Sequence, residues 1–261
     1  MKRFILLFLI LLVFQSKSHG QTFNSRIQGH GKPTIVIEVA MGENLETWKR
    51  LQQKLSAISE VVTYDRLGLG RSDSTNHPRT IENLTNDLDK FLTNEKIETP
   101  YILIGHSLGS FIARKYQSEY PQNVAGMILI DPVHEYQFDS LMALKTNEEK
   151  KKAEEDRERF VNSLPKGQRN EAFQYHQQRN TMKNVKFPTD IPITIIATFR
   201  VGQGATKEDR EIKKRLIEYW MKDAPQIKLI STFKSGHYIQ DSEPELLIDE
   251  VELMVNSLRK K

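Results

Sequence analysis

Short apolar runs and longer amphipathic stretches alternate along this chain. The short runs are Thr34-Ile35-Val36-Ile37-Glu38-Val39, Val61-Val62-Thr63-Tyr64, Tyr101-Ile102-Leu103-Ile104, Val124 to Ile130, Ile193 to Thr198 and Ile227 to Thr232. Brief, nearly unbroken apolar runs rich in Val and Ile read as strands buried on both faces. Between them the apolar residues recur at helical spacing. Trp48, Leu51 and Leu55 share one face of a helix expected over 44–55. Ile81, Leu84, Leu88, Phe91 and Leu92 follow Thr80, a good N-cap. Leu247, Val251, Met254, Val255 and Leu258 form the stripe of a last helix, opened by the capping-box pattern Ser242-Glu243-Pro244-Glu245. Strand and helix in alternation predict an α/β fold, a mostly parallel sheet with helices on both faces.

The rhythm breaks between His134 and Asp190. Lys145 to Arg159 is dense in alternating charge, with Glu148/Lys152 and Glu155/Arg159 ordered as helix-supporting pairs. Such a stretch reads as a solvated helical excursion. Its place, directly after the strand ending at Asp131, would hang it over one edge of the sheet. Residues 134–190 are therefore expected to form a helical cap, with 21–133 and 191–261 making the core. No internal repeat and no low-complexity linker interrupts this plan.

A chain of 261 residues suffices for one large α/β domain with a well-buried core. Charged residues at 28% argue against a multi-span membrane protein. The start of the chain stands apart: Lys2 and Arg3 precede an apolar run from Phe4 to Phe14, then a polar stretch to Gly20. That run is short for a bilayer span and reads as a secretory signal cleaved before Gln21, giving an exported product. A retained N-terminal membrane anchor is the alternative. With no cysteine anywhere, disulfides, thiolate metal sites, a cysteine nucleophile and a lipid-modified cysteine are all excluded. Removing Lys2, Arg3 and Lys17 with the signal reduces the formal charge from +4 to +1, so composition offers nucleic acid no basic surface.

The chemistry concentrates at Gly105-His106-Ser107-Leu108-Gly109, with a strand before it and the helical pattern Phe111, Ile112, Tyr116 after it. A serine between two glycines on a tight strand-to-helix turn is a nucleophile elbow. Side chains at either glycine would crowd the neighbouring strand or helix. A serine hydroxyl needs a base, and His237 is the candidate. It lies in a loop after the last strand, at the sheet edge where the elbow sits. The base in turn needs a carboxylate to hold its tautomer. Asp131, closing the strand after the elbow helix, is the first choice, followed by Asp209 and then Glu208. Thr206-Lys207-Glu208-Asp209 also reads as a helix start, which gives both later acids a capping explanation. Acyl transfer requires donors for a developing oxyanion. The N–H of Leu108 is one, and Met41, in Val39-Ala40-Met41-Gly42, is the expected second.

These residues, with Tyr64-Asp65-Arg66-Leu67-Gly68-Leu69-Gly70-Arg71-Ser72 and Leu129-Ile130-Asp131-Pro132-Val133-His134, resemble the α/β-hydrolase superfamily in its serine esterase-like branch. The resemblance runs from about Ile27 to Leu258 and implies an eight-stranded sheet, a Ser–acid–His triad in that chain order, and no cofactor. It also implies that Asp65 and Arg66 serve a structural turn rather than the chemistry. Two departures stand out. Val39-Ala40-Met41-Gly42 replaces the usual His-Gly or Ser-Gly loop, and Phe199 to Gly204 lacks the usual acid turn; some relatives place the acid one strand earlier, where Asp131 stands.

Other signals carry less. Gly68-Leu69-Gly70 and Gly202-Gln203-Gly204 lack the phosphate-binding fingerprints. His30, His77, His106, His134 and His176 show no metal-ligand spacing with carboxylates, and His134 is expected at the surface or lining the cap mouth. The leading expectation is hydrolysis of a small-molecule carboxylic ester. The alternatives are another reaction on the same residues (thioester, lactone or carbon–carbon bond hydrolysis, or acyl transfer) and a ligand-binding protein that has lost turnover.

Overall fold

In the computed structural model of the chain, residues 21–202 and 204–260 are described; the expected signal at 1–20 lies outside them. The six apolar runs form strands at or near the boundaries read from sequence: β2 (Thr34–Glu38), β3 (Val61–Tyr64), β4 (Tyr101–His106), β5 (Val124–Ile130), β6 (Ile193–Thr198) and β7 (Ile227–Thr232). A seventh, β1 (Ser25–Gln28), pairs antiparallel with β3 at the sheet edge. It has one apolar residue, Ile27, itself 40% exposed, so no hydrophobic pattern announces it. The described residues thus hold seven strands rather than eight, in the spatial order β1-β3-β2-β4-β5-β6-β7, all parallel except β1.

The helices are α1 (Lys49–Leu55), α2 (Ile81–Asn94), α3 (Gly109–Glu119), α4 (Gln137–Ala143), α5 (Asn147–Ser163), α6 (Lys166–Phe173), α7 (Tyr175–Met182), α8 (Lys207–Asp223), α9 (Ile239–Ser242) and α10 (Pro244–Arg259). Strand alternation sorts the core into two layers. Val36, Leu103, Met127 and Leu129 point to the side packed by α2, α3 and α8, where Leu88, Phe91, Phe111 and Ile217 are buried. Ile35, Ile37, Ile102, Ile104, Ile128 and Ile130 point to the other side, against Trp48, Leu51 and Leu55 and the α10 residues Leu247, Val251 and Val255.

Local chemistry sets several helix ends. Thr80 caps α2 by accepting the Asn83 N–H. The helix expected over 44–55 divides in two: a 3-10 turn, Leu45–Trp48, capped by Asn44, leads into α1. The capping box expected at Ser242 does not form. Ser242 belongs to α9, where its hydroxyl donates to Tyr238 O at 3.1 Å, and the Glu245 carboxylate, three residues on, pairs with Lys54 instead. In α5 the charges pair at spacing three, Arg157 with Glu154 and Arg159 with Asp156, rather than as Glu148/Lys152 and Glu155/Arg159.

Four helices, α4 to α7, fill the interval between β5 and β6. They meet the core at the loops that follow β2 and β3. Gly167 lies so close to Gly68 that a Cβ on it would stand 1.9 Å from the Gly68 carbonyl oxygen. Among the described residues no helix is long and apolar enough to cross a membrane.

Candidate active site

Parallel pairing brings the ends of β4, β5 and β6 side by side. His106 is in register with Ile130, and Ile130 with Ile196, so Ser107, Asp131 and Thr198 sit at neighbouring strand ends. Ser107 adopts φ +53°, a left-handed conformation costing about 1–2 kcal/mol for a residue with a Cβ. Its N–H donates to Ile130 O at 3.1 Å, and its carbonyl accepts from the Ser110 hydroxyl at 2.6 Å. The flanking glycines are required by close approach. A Cβ on Gly109 would lie 2.2 Å from Glu38 O, and one on Gly105 would lie 2.7 Å from Gly109 O. Ser107 itself is half-buried, open to a small reactant.

Asp131 also turns out of its strand with positive φ, +41°, and its N–H is held by Ile196 O at 2.7 Å. Its side chain is 5% exposed. Oδ2 meets His237 Nδ1 at 2.7 Å, while Oδ1 accepts from the Thr198 N–H at 3.0 Å and from the buried Lys213 ammonium. Burial would push this carboxyl up, but the bond with His237 and the charge of Lys213 outweigh it and hold it at about 2. Asp131 therefore stays ionised at any ordinary pH. Asp209 and Glu208 lie elsewhere. Asp209 forms a reciprocal capping box with Thr206 at the start of α8, accepting its N–H at 2.6 Å, and Glu208 is exposed beside it.

His237 is fixed from several sides. His106 Nε2 lies 3.0 Å from the His237 carbonyl oxygen, and the two rings lie 4.7 Å apart. A donating Nε2–H leaves His106 Nδ1 to accept from Gln240 Nε2 at 3.3 Å. Thr198 Oγ1 donates to Ser235 O at 2.6 Å, pinning the loop that carries His237. The variable position of the elbow thus orients the loop of the candidate base, a role that spacing alone does not reveal.

The loop 39–42 is equally constrained. The Ala40 N–H goes to Glu43 Oε2 at 3.3 Å, the Gly42 N–H to Glu171 Oε2 at 2.9 Å, and the Glu43 N–H to Ala40 O at 3.2 Å. The N–H groups of Met41 and Leu108 enter no hydrogen bond among the described residues, so both are free to donate. Arg66, fully buried, donates to the carbonyls of Val39 at 3.0 Å and Ala40 at 2.8 Å and pairs with Glu171 at 2.7 Å. Glu38 completes this cluster, bonded to Tyr64 and to Arg66; burial pushes its carboxyl up to about 7 against the opposing pull of Arg66. Arg66 therefore braces the loop of a candidate oxyanion donor.

His134 is not at the surface. It is 2% exposed and stacks on Trp220 at 4.2 Å, and burial, assisted by nearby Arg114, lowers it to about 4. Lys213, Thr198, Glu171 and His106 are the neighbours that sequence reasoning passed over. Lys213 did leave a trace, since it falls on the same helical stripe as the buried Ile217 and Trp220, where a lysine is out of place.

Comparison with known proteins agrees with this architecture. A family model described as alpha/beta hydrolase fold matches residues 33–215. An AB hydrolase superfamily protein of Gibberella zeae is 22% identical over 87% of this chain and 88% of its own length. The human (lyso)-N-acylphosphatidylethanolamine lipase is 35% identical over 40% of this chain, and the uncharacterized protein YqjL of Bacillus subtilis is 31% identical over the same share. The matches cover 31% and 42% of those two relatives, less than half of either. Among solved structures, an esterase from Exiguobacterium antarcticum superposes with a TM-score of 0.64 at 16% identity, covering 91% of this chain and 96% of that one. Family match, sheet order and elbow converge: the chain belongs to the α/β-hydrolase superfamily.

Proposed function

We propose that this protein cleaves small carboxylic esters through an acyl-enzyme, with Ser107 as nucleophile, His237 as general base and then acid, and Asp131 as the orienting carboxylate. The observation that carries this reading is the 2.7 Å contact of His237 Nδ1 with an ionised, buried Asp131, at the strand end next to the Ser107 elbow. The contact leaves the other ring nitrogen of His237 to take the serine proton. The N–H groups of Leu108 and Met41 receive the oxyanion, each such donor being worth about 2.7–4 kcal/mol in the transition state. Similarity to solved esterases supports the ester class. Helices α4 to α7 act as a cap over the mouth, resting on the loop of Met41. The product is exported after cleavage before Gln21.

Hydrolysis of p-nitrophenyl esters of graded acyl length is the test. Ser107→Ala and His237→Ala should abolish turnover in a folded protein, and full activity in either would refute the assignment. Asp131→Asn should lower kcat by roughly 10⁴-fold, as loss of an orienting carboxylate does elsewhere. An equal loss from Asp209→Asn would move the acid to α8.

A further inference from the structure

We propose that Lys213 is a positioning residue for this chemistry: its buried ammonium fixes the Asp131 carboxylate, ionised and turned toward His237. The inference rests on the ester-hydrolysis reading for its kinetics, though not for its geometry. Lys213 is buried on α8, where a lysine without a counter-charge would be strongly disfavoured. Its ammonium occupies Asp131 Oδ1, which leaves Oδ2 for His237. The Thr198 N–H supplies the third contact, so the carboxylate is held at both oxygens by α8, the end of β6 and the loop after β7.

The arrangement also sets charge. Asp131 and Lys213 together are neutral, so His237 meets a compensated carboxylate rather than a bare anion. Other groups near the ring belong to different elements. His106 stands 4.7 Å away at the end of β4, with Glu43 at 3.9 Å behind it, and Tyr238 lies 5.4 Å away. Farther from the ring, Asp241 on α9 interacts with Glu43 and His106, and Arg210 on α8 interacts with Lys213. Of these cations only Lys213 touches Asp131 among the described residues. Without its charge, the buried anion would be compensated by His237 taking up a proton, and a protonated base cannot activate Ser107.

The test is the pH profile of kcat/KM in Lys213→Met, Lys213→Gln and Lys213→Arg, each checked for folding by circular dichroism. In Met and Gln the acid limb should move up by about one pH unit, giving a roughly tenfold loss below the limb that is recovered at high pH. Arg should restore the limb, because it returns the charge. A profile unmoved in Met and Gln, or one that falls equally at every pH, would overturn the proposal, since lost packing lowers rates without moving a limb. The ring ¹⁵N signals of His237 followed against pH read the same proton with no substrate present. A shift in these signals in Lys213→Gln, with wild-type protein inactive on every ester, would sink the ester reading and keep the Lys213 assignment. Unshifted signals would remove the assignment whatever the activity.

Discussion

The sheet core and the helical insertion are held by opposite means. Strands β4, β5 and β6 are buried along almost their whole length and join α2, α3, α8 and α10 through aliphatic and aromatic side chains. The insertion buries little of this kind; α5, with 17 residues, buries only Val161. Apart from Met182, which joins the core cluster with Tyr175 and Phe187 packed against it, its roots in the core are polar. Glu171 pairs with Arg66 and accepts the Gly42 N–H, Gln168 donates to Gly42 O at 3.0 Å, and Gln178 donates to Arg79 O at 2.6 Å. At the near end Glu135 pairs with buried Arg114 at 2.8 Å and accepts from Trp220 Nε1 at 3.2 Å. Apolar contact is non-directional and tolerates sliding, whereas a satisfied buried ion pair has one geometry. A polar root therefore sets where the insertion sits relative to the loop of Met41, and couples the two.

Breaking that root should have the largest effect. Glu171→Ala leaves Arg66 buried without its main partner and should cost about 3–5 kcal/mol, read from urea unfolding. Ester turnover should fall with it, because Gly42 loses its acceptor. A cost no larger than that of a surface pair would mean that the insertion is held by something else.

The near root carries a pH signature. His134, lowered from 6.5 to about 4 by burial, is neutral when folded, while the unfolded chain takes up the proton first as pH falls. Stability is therefore lost between pH 6.5 and about 4, by roughly 3 kcal/mol in all. His134→Phe keeps a ring on Trp220 and should flatten that part of the curve, seen by comparing urea midpoints of the two proteins at pH 7 and pH 4.5. Parallel curves would remove His134 as the cause.

The smallest effect belongs to the insertion's outer face. Arg157→Ala breaks a partly exposed pair with Glu154 at 2.5 Å and should change stability by about 0.5 kcal/mol or less. A larger loss would show that α5 contributes more to anchoring than its exposure suggests.

The legible parts of the fold were those whose cause is local in sequence. Six strands and the stripes of α2 and α10 show in hydrophobic spacing, because burial on one face or two leaves a period. The elbow is legible because its turn admits only glycine at two fixed positions. Strand β1 was not, because an exposed edge strand buries almost nothing. The cap pattern at Ser242 fails because Ser242 is taken into α9, bonding Tyr238 O, and Glu245 is drawn to Lys54, 191 positions away in the chain. His134 looked like a surface residue because its partner, Trp220, lies 86 positions further along the chain.

The sequence by itself determined the α/β class, the strand runs, the elbow serine and a histidine after the last strand, since each follows from propensity, periodicity or turn sterics over a few residues. Only the tertiary structure decided which carboxylate meets that histidine, what neutralises it and what braces the loop 39–42. Asp131 and His237 are 106 residues apart, Lys213 and Asp131 82, and Arg66 and Glu171 105. Such pairs exist only once parallel strands have brought their ends to one edge, because Coulomb attraction and hydrogen bonding act over a few ångströms of space and leave no period in the chain.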